Sequence, residues 1–511
     1  KRMNSPQAVI EIGSTGIRLL VAEITQDKTR YILDRSEQPV AIGRDVFTQG
    51  FISRVTLLSC LQILNRFGEQ LAGWGLSREE VTVIGTSAVR EASNRDPFVD
   101  RIKVKTGFTV RVIDGIEENR LMYIAVTECL KEEAVSVQQS DSIILEIAGG
   151  ATEMMLMERG RMAGAHSMRL GTVIIEQKVR GIMGSLDDAK RFIEEFTRNT
   201  SATLNTELSL GKVQQFIALG ADMKLAAIFS GKPVSSFLWE IQREDFESFV
   251  KEIEHYTLEE CIARFKLSYN DAPTFQISLM AYYEFIKLTK VSKIIVPETS
   301  IREGVLISKM YSPNEVLAQE FSDQIIASAT TLLRKYQGDE KHAQFVRKTS
   351  LKIYDALKNE LGLDDHVRTL LEVSAILHDI GMFIRAKDHN IHSSYIILNS
   401  EIFGLSRDDT HLVADIARFH KGNKMPQDDI EFKLLPRTSR MIILKLCAIL
   451  RVADALDRSH QQKLSHFSIS FAKDSITFRI KGHHNLSLEQ LAIREKGNLF
   501  ENVFGYKIVL V

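Results

Sequence analysis

Apolar and polar positions along the chain change their rhythm three times. Residues 8 to 33 read as a hairpin: AVIEIG is a strand, STG a tight turn and IRLLVAEI a second strand. YILDRSEQPVAIG continues with extended character. VTVIGTSAVREA (81 to 92) is a strand running into a helix start, and TVRVIDGIEENRLMYIAVTECL (109 to 130) repeats that plan. After the polar bridge EEAVSVQQSD the hairpin begins again, with DSIILEIAGGATEMMLMERGRMAGAHSMRLG predicting strand, glycine turn, strand, strand. Both halves open on a strand-turn-strand with an acid just before the glycine, which suggests an internal duplication. This second α/β segment runs to about residue 307, with KIIVPE (293 to 298) leading into SIREGVL. Beyond SPNEV (312 to 316) the pattern turns helical to residue 460, and alternation returns in HFSISF, ITFRI and YKIVLV. The expected domains are therefore 1–128, 129–310, a helical 311–460 and a small α/β piece over 461–511.

Composition narrows the class. A chain of 511 residues is too long for one core. Its apolar share of 44% and charged share of 26% are those of a globular protein. The net charge of -1 gives no long-range pull on a polyanion, so an anionic ligand must be held by local basic residues. No Walker A, GxGxxG or zinc-finger pattern is present, RNP-type motifs are also lacking, and the neutral balance argues against a duplex nucleic-acid binder. The four cysteines lie far apart with no CxxC pair, which suits a reducing compartment. No apolar run approaches the roughly 20 residues that span a bilayer, and KRMNSPQ has no apolar segment behind it to act as a leader. A cytoplasmic protein with no membrane partner is expected.

Two constellations carry candidate chemistry. In the first, EIGSTGIRLLV, GTSAVREASN, DGIEENRLMYIAV, EIAGGATEM, SMRLGT and SIREGVL occur in that order. The ordered set resembles the exopolyphosphatase/guanosine pentaphosphate phosphohydrolase (Ppx/GppA) family, over about residues 8 to 307. The resemblance implies two actin-like/Hsp70-like (ribonuclease H-like) α/β domains with the site in the cleft between them. It implies Glu118 as the base that activates water, Arg90 as a phosphate clamp, and Glu146 and Glu153 as the acids that hold Mg2+. Phosphate would be cradled by Gly13, Ser14, Thr15, Gly149, Gly150, Ala151 and Thr152. The residue chemistry agrees: backbone N–H groups of glycine turns form anion-binding nests, and carboxylates beside them hold a cation that neutralises a phosphoryl group. Acids at 117 and 118 also simply favour a helix N-terminus. The chain departs from the family's usual pattern by carrying Glu11 and Glu146 for aspartate, and Ala148 and Ala151 in the second turn. A carboxylate one methylene longer is compatible with a shifted metal and equally with a relaxed, non-catalytic pocket. ALGADMKLAA (218 to 227) matches a strand-to-helix turn near the phosphate, with Asp222 in a place where an acid repels phosphate unless metal intervenes.

In the second constellation, His342, His378-Asp379, His392, His420 and Asp454 follow one another on successive helices. That order resembles the HD superfamily of metal-dependent phosphohydrolases, and implies an all-α HD-type domain. Imidazole with carboxylate suits Mn2+, Fe2+ or another transition metal better than Mg2+ alone. His389 and His411 are expected at the surface, and Arg418 and Lys421 either hold phosphate or are solvated charges. RKTSLKIYDALK (347 to 358) and KVRGIMGSLDDAKRF (178 to 192) are basic stretches that read as amphipathic surface helices or as the lining of a phosphate groove.

The expected protein releases terminal phosphate from polyphosphate or guanosine pentaphosphate and, by the resemblance, is a homodimer. Two alternatives stay open: an HD-type centre as the sole active site behind a sensing front fold, and a non-catalytic receptor for polyphosphate or guanosine phosphates.

Overall fold

The computed structural model describes residues 6–25, 30–132, 137, 139–177, 184–310, 316–421, 425–464, 466–480 and 485–511. The chain divides into two compact units, one ending at Gln319 and the other beginning at Glu320. All but the last residue of the segment SPNEV, where the pattern is expected to change, and part of the basic stretch 178–192 lie outside the described residues.

The first unit repeats one plan. Its first sheet has the strand order β3-β2-β1-β4-β5, built from β1 (Pro6–Ile12), β2 (Gly16–Ile24), β3 (Arg30–Pro39), β4 (Thr82–Gly85) and β5 (Val110–Val112). Its second sheet contains β6 (Ser142–Ile147), β7 (Thr152–Glu158), β8 (Arg161–Met168), β9 (Gln215–Leu219), β10 (Lys232–Pro233), β11 (Leu238–Gln242) and β12 (Lys293–Pro297). The path β8-β7-β6-β9-β12 within it repeats the first sheet, with the opening hairpin antiparallel and the later strands parallel. The duplication read from the hairpins is thus a duplication of topology. It extends to register: Glu11 pairs with Arg18 across β1 and β2, and Glu146 pairs with Glu153 across β6 and β7.

Each sheet has its own core. Ile10, Leu19, Phe67 and Val83 are buried in the first, Ile143, Phe216, Phe285 and Ile294 in the second. The helix Gly115–Glu132 starts straight after β5, and Gly304 of the helix Ile301–Met310 lies against it so closely that a Cβ there would collide with the Leu121 carbonyl. Tyr282 ties two strand ends together: its hydroxyl donates to Leu219 O at 2.5 Å and accepts from Ile147 N at 2.8 Å. This fixes the point where β6 hands over to the second glycine turn.

The second unit is mainly helical. Side-chain caps start the helices Glu340–Ala356 (Asp339), Asp365–Leu377 (Asp364) and Arg407–Phe419 (Ser406, with a reciprocal capping box). The helices His389–Leu398, with His389, and Arg437–Ala455, with Asp454, complete the set that carries the cluster. A small sheet follows, β13 (Phe467–Phe471), β14 (Ser475–Ile480) and β15 (Lys507–Leu510), with the helices Ser487–Lys496 and Asn498–Phe504 beside it. The expected boundary at 460/461 is corrected here. Val346, Leu371, Ile416 and Leu450 share one apolar core with Phe478, Leu499 and Phe500, so the C-terminal strands complete the helical unit. Among the described residues no helix is long and apolar enough to cross a membrane.

Candidate active site and candidate metal centre

In the first unit, the two hairpin turns meet. Ser14 Oγ lies 3.2 Å from Ser87 Oγ, and a Cβ built on Gly149 would stand 2.9 Å from Ser14 Cβ. A Cβ on Gly150 would strike Ser87 and Phe47. Close approach therefore demands glycine at 149 and 150. Left-handed backbone does not: Gly13, Gly16 and residues 148–151 are absent from the positive-φ positions. Ala148 is exposed at the rim and its N–H closes the turn on Ala151 O at 2.9 Å. The Thr152 hydroxyl is not free to meet phosphate, because it donates to Leu170 O at 2.5 Å. Thr15 Oγ1 accepts from Arg18 Nη2 at 3.1 Å.

Behind the turns sit carboxylates that face one another. Glu118, on the first turn of Gly115–Glu132, is buried and bonded to Arg90 Nη1 at 2.5 Å, while the same nitrogen donates to Ile113 O at 2.6 Å. Burial pushes Glu118 up to about 7; Arg90 opposes this, and Glu11 and Asp114 add to it. Burial likewise takes Glu146 to about 7, helped by Glu11 and Glu118 and opposed by Arg18 and Arg302. Glu11 is flanked by Arg18 at 3.7 Å and Arg302 at 3.6 Å. Acids converging in this way repel each other unless protonated or bridged by a cation, so the donor set fits a hard divalent ion such as Mg2+.

Glu153 is placed differently from the expectation. Its Oε2 accepts from Asn119 at 2.9 Å and its Oε1 from Ser167 at 2.7 Å, so neutral donors hold both oxygens. The acid whose field reaches both Glu118 and Glu146 is Glu11. The cause is the register: Glu153 points from β7 toward Asn119, one residue beyond Glu118 on the same helix. Asp222, at the start of the helix Ala221–Ser230, is raised to about 7 by burial and so carries little charge below neutrality. Sequence reasoning gave no role to Arg18, Arg302 or Ser87. Arg18 had a visible signal, since it stands directly opposite Glu11 in the hairpin pairing.

In the second unit, imidazoles and carboxylates gather into two groups that share Asp379. His342 Nε2 lies 3.3 Å from Asp454 Oδ1, 3.8 Å from Asp379 Oδ2 and 3.3 Å from His378 Nε2. On the other side, Asp379 Oδ1 is 3.1 Å from His389 Nε2 and 3.3 Å from His420 Nε2, and these two nitrogens are 3.3 Å apart. Asp379 thus offers one oxygen to each group. The far nitrogens are all engaged: His378, His389 and His420 donate Nδ1–H to the carbonyls of Ala375 (2.9 Å), Ala386 (3.0 Å) and Ala417 (2.6 Å). His342 Nδ1 donates to Asp457 at 2.8 Å. Carbonyls only accept, so His378, His389 and His420, when neutral, turn an Nε2 lone pair inward, and His342 does so once a cation replaces its Nε2 proton. Paired acceptors at 3.3 Å repel unless a proton or cation lies between them, which is the arrangement of a divalent metal site.

Burial opposes charge on His342, but its hydrogen bonds to Asp454 and Asp457 outweigh that and take it up to about 9. Burial takes His420 down to about 4 against the pull of Asp379. Burial works to raise Asp379 and Asp454 too, yet the surrounding imidazoles, and Lys496 at Asp454, hold both well below the ordinary carboxylate range.

Two expectations for this region change. His389, read as a surface residue, belongs to the cluster, whereas His392 is outside both groups. His389 opens its helix beside Asp379, and His392 lies one turn further along, roughly 4.5 Å away in axial rise. Arg418 is committed to Asp429 at 3.0 Å and Glu431 at 2.7 Å, while Lys421 Nζ stands 3.4 Å from His389 Nδ1. His411 is exposed.

Comparison with known proteins matches residues 20–312 to the Ppx/GppA phosphatase family and residues 326–496 to domain III of Ppx/GppA phosphatases. The chain belongs to the Ppx/GppA phosphatase family. Membership makes it an enzyme of phosphoanhydride cleavage, as the ordered motifs of the first unit implied. A guanosine-5'-triphosphate,3'-diphosphate pyrophosphatase of Photobacterium profundum is 23% identical over 485 residues, covering 93% of this chain and 91% of that protein. One of the same name from Aeromonas hydrophila is 23% identical over 485 residues, covering 93% of each. The crystal structure of an exopolyphosphatase from Cytophaga hutchinsonii aligns with TM-score 0.53 and 22% identity over 60% of this chain and 98% of that one. That likeness speaks for the fold alone. The family match over 326–496 names a domain III and does not itself describe an HD-type metal site.

Proposed function

We propose that the first unit hydrolyses the terminal phosphoanhydride of inorganic polyphosphate or of guanosine pentaphosphate, and that the second holds a pair of divalent transition metals. The first part is carried by one observation, the buried Glu118–Arg90 pair set among Glu11 and Glu146. A carboxylate held near neutrality by burial is a base matched to its working pH. Arg90 is a fork of donors whose second partner is a carbonyl; a phosphate oxygen arriving at it releases Glu118 to face a water. Glu118 then takes the proton as that water attacks in line, and the glycine-turn N–H groups receive the developing charge. Bound Mg2+, held by Glu11 and Glu146, would neutralise the phosphoryl oxygens. Glu153 stays a positioning residue through Asn119 and Ser167.

For the second unit the supporting observation is the set of inward Nε2 atoms around a bridging Asp379. His342, His378, Asp379, His389, His420 and Asp454 would hold the metals. This favours a second phosphoester-cleaving centre over a purely structural domain.

The test is phosphate release in Mg2+ from long-chain polyphosphate and, separately, from guanosine pentaphosphate. Glu118→Gln lowers release by about 10²- to 10⁴-fold, and Asp379→Ala leaves it nearly unchanged. Loss in Asp379→Ala alone would move the activity to the second unit. No loss in either variant would reject the first centre, and the second is judged separately by its metal content.

A further inference from the structure

The two halves of the histidine cluster are backed very differently. Behind His342 lies Asp457, fully buried, whose Oδ2 receives His342 Nδ1–H. Asp457 is itself fixed by Gln462, through its backbone N at 2.7 Å and its Nε2 at 2.9 Å. Behind Asp454 lies Lys496, buried at the end of the helix Ser487–Lys496, whose ammonium pairs with Oδ2. The other oxygen, Oδ1, is left facing His342 Nε2 at 3.3 Å and His378 Nε2 at 3.8 Å. His342 and Asp454 are therefore held from the rear by buried side chains, and His378 by the Ala375 carbonyl.

The other half has less behind it. His389 opens its helix with 14% of its side chain exposed, against 1% for His342 and His378. Its Nδ1 rests on one carbonyl, with Lys421 at 3.4 Å. It also draws only one oxygen, from the shared Asp379. A carboxylate behind a metal-ligating imidazole fixes the ring and raises its donor strength, and a lysine that occupies one carboxylate oxygen stops the group from turning away.

We propose that Asp457 and Lys496 are positioning residues that make the His342–His378–Asp454 half the high-affinity metal position, filled first, and leave the His389–His420 half as the exchangeable one. This rests on the reading of the cluster as a metal centre. It also gives the C-terminal α/β piece a task, since Lys496 reaches the ligands from there. No sequence expectation covered it, because Asp457 and Lys496 lie beyond the motif and are 39 residues apart, too far for any local spacing rule to link.

Mn2+ titration of the full-length chain, followed by the loss of the free-ion electron paramagnetic resonance signal, tests the assignment. With excess Mg2+ present to occupy the carboxylates of the first unit, the wild type is expected to show two classes of site separated by at least ~10-fold in dissociation constant. Asp457→Asn and Lys496→Met weaken the tight class by about 10- to 100-fold and spare the weak one. Lys496→Arg, which keeps the charge and the donor, restores most of the loss. His389→Ala removes the weak class and leaves the tight one. A wild type that binds no Mn2+ overturns the underlying metal reading. Two equal classes, or a tight class unmoved by Lys496→Met, overturn this inference and leave that reading standing. Circular dichroism checks each variant; if Asp457→Asn fails to fold, the Lys496 pair decides alone.

Discussion

The carboxylates of the two units are pushed in opposite directions. Glu118 and Glu146 face other acids and rise to about 7, whereas Asp379 and Asp454 face imidazoles and a lysine and fall well below their ordinary range. Burial acts the same way on all four, so the neighbours make the difference. The first site is left short of positive charge and gains it from a hard cation and from arginines that meet an anionic substrate. The second holds its donors in place through rear hydrogen bonds. One is arranged to respond to its ligand, the other is preorganised.

The largest expected effect tests the preorganised side. Asp379 is the one residue shared by both groups, so Asp379→Ala should strip both metal positions together, from about two ions per chain to well under one. Elemental analysis of protein purified without chelator measures it. His392→Ala should leave the metal content at the wild-type level, since His392 is outside the cluster. Equal losses in the two variants would return His392 to the ligand set.

Next comes the responsive side. Arg90 opposes the rise of Glu118, so Arg90→Met should lift Glu118 above about 7 and cost roughly 10- to 100-fold in rate through the lost clamp. The base works deprotonated, so wild-type phosphate release climbs as pH rises through about 7, and the variant's climb begins at higher pH. A pH profile of kcat/KM that does not move would detach Arg90 from Glu118.

How far the sequence carries these two sites differs in the same way. The hairpin order made the first site legible, because duplicated strands impose a register that places Glu11 and Glu146 alike. The partners of Glu153 are not legible in this way, because a strand pattern gives the face of a side chain and not its partner, and the Asn119 and Ser167 donors come from other elements. In the helical unit, five of the six cluster residues were readable as a motif. His389 and His392 are one turn apart on one helix, and the choice between them depends on where that helix begins, which capping signals did not mark: Asp388 precedes it with a left-handed φ of 59° and no side-chain cap. Asp457 and Lys496 had no signal, since burial and contact across the shared core are tertiary facts.

A third prediction separates the units by stability. Both tryptophans, Trp74 and Trp239, belong to the first unit, so their fluorescence follows its unfolding alone. Glu118, Glu146 and Asp222 bind protons more tightly folded than unfolded, so between about pH 5 and pH 7 their contribution is largest at the low end and is lost as pH rises. The tryptophan-detected midpoint should fall by a few °C over that range (about 2–4 °C per kcal/mol), and Mg2+ should reverse most of it. Asp379 and Asp454, being lowered, contribute stability above roughly pH 4 and lose it only as pH falls further, so they add no slope in that window. A midpoint that rises with pH would contradict the crowding of acids in the first site.

The smallest effect concerns the second glycine turn. Ala148 stands where the family favours glycine, and a left-handed backbone there would make the alanine a source of strain. Ala148 has no positive φ and lies exposed at the rim, and the steric demand falls on Gly149 and Gly150 instead. Ala148→Gly should therefore change phosphate release by no more than about twofold and lower stability by about 0.5–1 kcal/mol through backbone entropy. Gly150→Ala, which drives a methyl into Ser87 and Phe47, should abolish most of the activity while the histidine centre keeps its metal. A large gain from Ala148→Gly would mean that the turn must adopt, with substrate bound, a backbone it does not have here, and the first site would then owe its activity to a rearrangement and not to the packing of its two hairpins.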